Sequence, residues 1–163
     1  MAYEKSIIRN NILYENLKYG IMIESLKKSY IISNYLFLNN YGLACKNSIG
    51  ILTKNNILYC NMLAISFFYS SYVNITNNIF FNNNIGLNIA GNSFNIYINR
   101  CLYSNSPVYI LHESIVYINS SLFIICYVGI IASEQTKIFV DKSNFFDNKI
   151  NFKIGRASCR ERV

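Results

Sequence analysis

The chain contains few residues of several types, and each shortage excludes a class of structure or site. Among its 163 residues there are one histidine, one proline and no tryptophan, and charged residues make up 14% of the total. No run of about 20 predominantly apolar residues occurs, so the sequence predicts no membrane-spanning helix. The best candidate, residues 114–133, is uncharged and rich in isoleucine, but it keeps the repeat register described below.

The sequence also lacks the residue pattern of a metal site. His112 is the only histidine, and Cys45, Cys60, Cys101 and Cys126 are scattered without C-x-x-C spacing. Zinc and copper sites need clustered His and Cys ligands, so we predict no metal and no cofactor. These cysteines are more typical of small buried hydrophobic residues.

The chain does contain a short sequence motif that recurs seven times, about 22 residues apart. A fixed period in this range is typical of solenoids, whose units bury their apolar faces against one another. One repeated column holds small residues, at Gly20, Gly42, Ala64, Gly86, Val108 and Gly129. A second holds large apolar residues, at Leu13, Phe37, Leu58, Phe80, Leu102, Phe123 and Phe145. A third holds polar amides, at Asn16, Asn40, Asn61, Asn83, Asn105 and Asn148, with Cys126 in the sixth repeat.

Within each repeat the pattern is that of short strands. Val73 and Ile75 alternate with polar residues, and Leu87 and Ile89 do so after Gly86. Alternation with period two indicates a strand with one buried face, and the intervening Asn and Gly residues favour turns. We therefore predict an all-β fold, a right-handed parallel β-helix of about seven coils.

The asparagine columns are predicted to become ladders at the corners of the coils, because a stacked amide can bond the amides above and below it. A second corner column is expected from asparagines before the strands, at Asn10, Asn34, Asn55, Asn77 and Asn99. The fifth repeat is the least regular, since Pro107 stands in the approach to its small residue, and we expect a bulge or an altered corner there.

The phrase NNIFFNNNIGLNI at residues 77–89 resembles the repeat of the right-handed β-helix families, which include NosD-like proteins and the pectate-lyase-like superfamily. The resemblance covers residues 6–152. It implies the fold and, as an expected location, the cell envelope or the extracellular space. It does not select a function, because lyases, hydrolases, epimerases, adhesins and binding proteins share this repeat.

The last residues break every repeated pattern. Residues 153–163 carry three arginines and a glutamate within seven positions, and the string resembles the translation of a sequencing-library adapter. We therefore predict two parts, a β-helix repeat domain at residues 1–152 that is a fragment of a longer protein, and a non-native tail at 153–163. The other interpretation of these residues is a basic tail that binds nucleic acid or an anionic surface.

The tail also accounts for much of the positive charge. The whole chain has 15 Lys and Arg against 8 Asp and Glu, a net charge of +7. Without the tail, 11 basic and 7 acidic residues remain, and the net charge falls to about +4. We therefore predict no nucleic-acid partner.

Candidate catalytic residues are sparse. Enzymes of this fold that act on acidic polysaccharide use calcium-binding acids with a basic residue, or grouped carboxylates. Here Glu113 and Glu134 are separated by close to one repeat and could stack on adjacent coils beside His112, and this is the only acid and base group that the sequence allows. Exposed turn residues are the simpler interpretation of all three, so we predict no catalytic site in this segment.

The sequence gives more support to a binding surface than to a catalytic site. Tyr14, Tyr59, Phe81, Tyr103 and Phe146 share a column two residues before the amide column, and its outward exposure would give a row of aromatic platforms for a glycan chain. The same stripe could pack another domain, or lie inward as core. We predict a non-catalytic repeat segment that binds polysaccharide or serves as a surface scaffold. The alternative is a fragment of a polysaccharide lyase, hydrolase or epimerase whose catalytic coils lie elsewhere.

Overall fold

The computed structural model describes residues 5–133 and 135–155, and within these ranges the chain forms 21 β-strands and no helix. The strands form three parallel sheets of seven strands each, and every third strand of the sequence pairs into the same sheet. One strand from each sheet makes one coil. The predicted all-β parallel solenoid of about seven coils is confirmed.

The strands of the first sheet, sheet A, open each coil. They are Ser6–Arg9, Lys27–Ile32, Ile49–Lys54, Ser71–Thr76, Phe94–Asn99, Ile115–Asn119 and Lys137–Asp141. The strands of sheet B follow them and are three residues long. They are Ile12–Tyr14, Tyr35–Phe37, Ile57–Tyr59, Ile79–Phe81, Leu102–Ser104, Leu122–Ile124 and Asn144–Phe146.

The strands of sheet C close each coil. They are Tyr19–Glu24, Tyr41–Lys46, Leu63–Phe68, Ile85–Ala90, Val108–Ile110, Val128–Ala132 and Ile150–Ile154. We number the coils 1 to 7 by these strands in chain order. The strand of coil 7 runs to Ile154, two residues past the predicted domain boundary at residue 152.

The corners between sheets rely on left-handed backbone. Most of the residues that follow a strand of sheet A or sheet B have positive φ, for example Asn55 at 55° and Asn82 at 51°. Asparagine tolerates this conformation better than other non-glycine residues because its short side chain bonds locally. The richness in Asn therefore serves two structural purposes, since the residue after the left-handed one points inward and bonds the neighbouring coil.

The core consists of inward columns that run through all coils. In sheet B the core column contains Leu13, Leu36, Leu58, Phe80, Tyr103, Phe123 and Phe145. The predictions of Phe37 and Leu102 for this column are wrong by one residue, because Phe37 points outward and Tyr103 points inward. The rings of Phe80, Tyr103, Phe123 and Phe145 stack in parallel with centroids 4.5, 4.7 and 4.7 Å apart.

The amide ladder that follows sheet B, here called the second ladder, contains Asn16, Asn39, Asn61, Asn83, Ser106, Cys126 and Asn148. Asn40 and Asn105, predicted for it, lie one residue away from the ladder positions. Asn40 has its amide nitrogen on Leu17 O, and Asn105 bonds the Asn82 side chain at the surface. The ladder position is the one whose side chain enters the corner, and Asn39 and Ser106 hold it.

The ladder that follows sheet A, the first ladder, contains Asn11, Asn34, Asn56 and Asn78 and continues through Cys101, Ser121 and Ser143. Of the predicted column only Asn34 belongs to it. Asn10, Asn55 and Asn77 are the left-handed residues just before it. Asn99, at the end of its sheet A strand, lies outside the ladder as well. At the third corner, after sheet C, serines at positions 48, 70, 93 and 114 take the same role.

The small-residue column packs against the next coil. A Cβ built on Gly86 would lie 2.8 Å from Ser106 O and 2.9 Å from Ser106 Cβ, so a side chain there would require the backbone to move. In coil 5 this column passes through Pro107, whose carbonyl accepts the Gly86 N–H at 2.9 Å, rather than through Val108 as predicted. The irregular corner expected in the fifth repeat is therefore present, as a one-residue shift.

Candidate functional site

The outer face of sheet B is apolar along most of the solenoid. Two neighbouring columns of side chains lie on the outer side of its three-residue strands, and of these residues only Ser104 is buried. The first column holds Ile12, Tyr35, Ile57, Ile79, Leu102, Leu122 and Asn144, and the second holds Tyr14, Phe37, Tyr59, Phe81, Ser104, Ile124 and Phe146. We call these residues the sheet B face. None of them carries a charge.

Four of the five predicted binding residues belong to the second column of this face. Tyr14, Phe81 and Phe146 are 55%, 42% and 69% exposed, and Tyr59 is half-buried. Phe37, which the sequence pattern assigned to the core, joins them and stacks on Tyr14 with ring centroids 5.1 Å apart. An exposed row of this size on a folded protein is typical of an interaction site.

Tyr103 does not belong to this face, and its prediction as a binding residue is wrong. Its ring is fully buried between Phe80 and Phe123. In coil 5 the equivalent outer position is held by Ser104, which pairs with Phe81. The reason is that paired residues of sheet B lie 23 positions apart between coils 4 and 5, but 22 apart between coils 3 and 4. Burial of Tyr103 raises the pKa of its phenol well above the ordinary value, and the Oη atom has no hydrogen bond of good geometry.

The rings of the sheet B face stack on one another rather than lying flat on the sheet. Tyr14 and Phe37 are inclined by 7°, and Tyr59 and Phe81 by 15° with centroids 5.6 Å apart. Since the paired rings come from adjacent coils, their planes lie across the solenoid axis and their edges point to solvent. A ring face lacks a stacked ring only where this stacking is interrupted, as it is between Phe37 and Tyr59 and after Phe81.

One such interruption lies beside Phe81. Its ring stacks on Tyr59 toward coil 3, and Ser104 stands where coil 5 would place a ring. Phe81 is thus the last ring of its stack, with a face directed at a small polar residue. At the other ring of this pair, the neighbouring Cys60 thiol raises the pKa of the Tyr59 phenol.

A second aromatic column, which the sequence analysis did not single out, lies on the outer face of sheet A. It contains Tyr30, Leu52, Asn74, Tyr97, Tyr117 and Phe139. Tyr97, Tyr117 and Phe139 stack with centroids 5.0 Å apart at both steps. The signal that could have revealed it is the return of an aromatic residue close to one repeat after Tyr97, and again one repeat later.

The candidate acid and base residues lie away from both aromatic columns. His112 and Glu113 are exposed residues of the turn between sheet C of coil 5 and sheet A of coil 6, and His112 has a φ of 60°. Glu134 lies outside the described residues. Glu113 lines a shallow surface depression with Phe94, Gln135 and Lys137. Among the described residues no three His, Cys, Asp or Glu side chains are placed to hold a metal ion.

The three buried thiols have raised pKa values and therefore low reactivity. Burial raises the pKa of Cys101 to about 11, and it raises the pKa values of Cys45 and Cys126 as well. A thiol reacts as the thiolate, so these three groups are poor nucleophiles at neutral pH. Their roles are structural, since Cys45 lies in an apolar column and Cys101 and Cys126 fill ladder positions.

Comparison with known families decides the classification. A family model described as "Right handed beta helix region" matches residues 1–103, which is more than half of the chain. The chain belongs to this right-handed β-helix family. No curated protein sequence matches this β-helix. No helix among the described residues is long and apolar enough to cross a membrane.

A solved structure shares the fold of this β-helix. It is the A-module of the mannuronan C-5 epimerase AlgE6 from Azotobacter vinelandii, with a TM-score of 0.67 and 11% sequence identity. The match covers 92% of this chain and 54% of the module, so the β-helix spans about half the length of this neighbour. At this identity the likeness establishes the fold and leaves the chemistry to the residues.

Proposed function

We propose that this β-helix is a non-catalytic segment that binds a polysaccharide chain along the sheet B face. The observation that carries the proposal is the uncharged row of Tyr14, Phe37, Tyr59 and Phe81, which repeats once per coil on an exposed surface. Sugar rings present C–H groups that pack well on aromatic surfaces, and a linear glycan repeats its units as the solenoid repeats its coils.

The arrangement of the rings suggests where binding would be strongest. Ring edges contact a ligand over a small area, whereas an uncovered ring face offers the larger area. Phe81 has one ring face without a stacked ring, because Ser104 stands beside it, and it lies in coil 4, the middle coil of the sheet B face. Residues near the centre of an interface contribute most of its binding free energy, so Phe81 is the expected anchor.

The test is glycan binding by matched variants. We expect Phe81→Ala to raise the Kd about tenfold for a polysaccharide that the wild type retains, which corresponds to the loss of about 1.4 kcal/mol of aromatic packing. Affinity electrophoresis in gels containing neutral or acidic polysaccharides, mannuronan among them, measures this shift. Tyr97→Ala is the control, because the exposed fraction of Tyr97, 43%, is similar to that of Phe81, whereas Tyr97 lies on sheet A.

Two results would contradict the proposal. One is an absence of retention by any glycan while circular dichroism shows folded protein. The other is an equal loss for Phe81→Ala and Tyr97→Ala, because binding would then not depend on the sheet B face.

A second candidate function is that of a segment from a longer polysaccharide-modifying enzyme. It is favoured by the neighbour with the same fold, a mannuronan epimerase module of which the match covers 54%. Grouped carboxylates at coil spacing would then lie in further coils. Sequencing the gene past the Phe152 codon tests this candidate and the predicted tail together. A frame that continues into coils with clustered acids supports it, and a natural frame encoding residues 153–163 and then a stop removes it.

A further inference from the structure

An open depression lies along the corner between sheets B and C, in coils 2 to 4. Its volume is about 500 Å³, within the range of small-ligand sites, which is about 300–1,000 Å³. We call it the amide depression, and its exposed and half-buried lining residues are Leu38, Asn40, Cys60, Met62, Asn82 and Asn84. In each of these coils the lining begins directly after the aromatic residue of the sheet B face, which is Phe37, Tyr59 or Phe81. The depression therefore borders the second column of that face.

The lining of the amide depression is both apolar and polar. Leu38 and Met62 are 49% and 59% exposed, so they extend the apolar surface of the aromatic rings. Asn84 is exposed, and its side-chain amide makes no hydrogen bond with the described residues. Asn82 Oδ1 accepts from Asn105 Nδ2 at 3.2 Å, while Asn82 Nδ2 donates to no described residue. Apolar surface with a few polar groups beside it suits a sugar ring, which presents C–H groups and hydroxyls together.

Charged side chains are absent from this side of the sheet B face. Coils 2 to 6 are described without a gap from residue 27 to residue 132, and none of their corners between sheets B and C contains Asp, Glu, Lys or Arg. These corners are residues 38–40, 60–62, 82–84, 105–107 and 125–127. An anion in the amide depression would therefore find no cation in the lining.

Two cations border the sheet B face on its other side. Lys54 ends a strand of sheet A and Arg100 follows one, so both lie at the corner between sheets A and B. The three residues of a sheet B strand separate this corner from the amide depression by about 10 Å. The Debye length at physiological ionic strength is about 8 Å, so the attraction of either cation for an anion in the depression is largely screened.

We propose that the polysaccharide bound by this β-helix is uncharged, with its sugar rings on the sheet B face and its hydroxyls on the amide depression. The inference rests on the proposed polysaccharide-binding function and names the chemical class of the ligand. A carboxylate in the depression would lose water without gaining a cation, which costs free energy. A hydroxyl both donates and accepts hydrogen bonds, so Oδ1 and Nδ2 of Asn84 are suitable partners for it.

The first test compares glycans of different charge by affinity electrophoresis of the full chain. β-Glucan, mannan and galactan are the neutral probes, polygalacturonate is the acidic probe, and its fully methyl-esterified form has the same backbone without the charge. We expect retention by at least one neutral polysaccharide and no retention by polygalacturonate. Retention should be equal in about 20 and 500 mM NaCl, because no ion pair contributes to it.

Asn84→Ala tests the place of the amide depression in binding. We expect it to raise the Kd for the retained polysaccharide about fivefold, through the loss of about one hydrogen bond. Asn74→Ala is the matched control and should leave the Kd unchanged, because Asn74 is an exposed amide of the same coil on the outer face of sheet A. Circular dichroism and urea denaturation verify that both variants keep the wild-type fold.

Met62→Lys tests the charge argument from the opposite direction. Met62 is exposed and lies in the middle coil of the amide depression. A lysine there would supply the missing cation, so we expect retention by polygalacturonate that disappears in about 500 mM NaCl. Asn74→Lys adds the same charge on sheet A and should give no such retention.

Retention by polygalacturonate alone, or by a neutral probe in equal measure for the wild type and Asn84→Ala, would overturn this inference and leave the proposed polysaccharide-binding function intact. So would retention that Lys54→Gln or Arg100→Gln abolishes, because the ligand would then be held by cations. An absence of retention by every probe would overturn both. A wild-type dimer in sedimentation velocity that Met62→Lys dissociates would overturn it as well, because a second copy of the chain would then cover the amide depression.

Discussion

Replacing Asn61 with leucine is expected to lower the free energy of unfolding by about 3–5 kcal/mol. The buried Asn61 side chain accepts from the N and Nδ2 atoms of Asn39, both at 3.0 Å, and donates to Leu36 O at 2.9 Å and Asn83 Oδ1 at 3.1 Å. Leucine has a similar size but no polar atom, so two donors and two acceptors would each lose a partner in a buried corner. Urea denaturation followed by circular dichroism measures the change.

Asn84→Leu is the matched control, since Asn84 is an exposed amide of the next coil, one position past the ladder residue Asn83. Its effect should stay within about 0.5 kcal/mol, as is usual for a surface substitution. An equal loss of stability in the two variants would mean that leucine disturbs the solenoid in some other way, and that the ladder is not a main source of stability.

Replacing Phe123 with alanine is expected to cost about 3–5 kcal/mol, because it opens a cavity in the middle of the core stack. The ring is fully buried and lies 4.7 Å from both Tyr103 and Phe145, inclined to them by 5° and 3°. The gap would span the interior of coil 6, where neighbouring coils are held apart by their backbone pairing and cannot collapse into it.

Tyr103→Phe is the comparison for this second prediction, because it keeps the ring and removes only a buried hydroxyl without a good partner. We expect it to raise the free energy of unfolding by about 1 kcal/mol, since the desolvation cost of that hydroxyl disappears. Thermal and urea unfolding of both variants measure the effects. A destabilised Tyr103→Phe would show that the hydroxyl gains more from the Cys101 thiol beside it than its geometry indicates.

The period of the sequence was enough to predict the coils, but not to decide which of two adjacent residues has its side chain inside. Asn39 and Asn40 are both amides, and only the first enters the second ladder. Leu36 and Phe37 are both large and apolar, and only the first enters the core. In these three-residue strands only the middle side chain points inward. Where the spacing between two successive coils is one residue longer than the next spacing, the inward position moves by one residue along the sequence. Composition cannot detect such a step, whereas backbone pairing determines it.

Four of the five residues in the predicted binding column lie on the outer face of sheet B, and the fifth does not for the same reason. Tyr14, Tyr59, Phe81 and Phe146 lie on the outward side of their strands, and Tyr103 follows the irregular step into coil 5. The orientation of the rings was not predictable, because it depends on the side chain in the adjacent coil. Tyr14 stacks because Phe37 stands beside it, and the Phe81 stack ends because Ser104 does not extend it.

In both amide ladders the backbone N–H of an asparagine donates to the Oδ1 atom of the asparagine in the following coil, and this direction has a consequence during synthesis. As the chain leaves the ribosome from its first residue, the Asn34 backbone N–H finds its acceptor only when Asn56 has emerged. Each coil therefore stays incomplete until the next one has been translated. Folding is expected to follow translation at a distance of one coil, with the growing edge always exposed. A pause in translation would prolong the life of that edge, and this is the stage at which a chaperone would have most to protect.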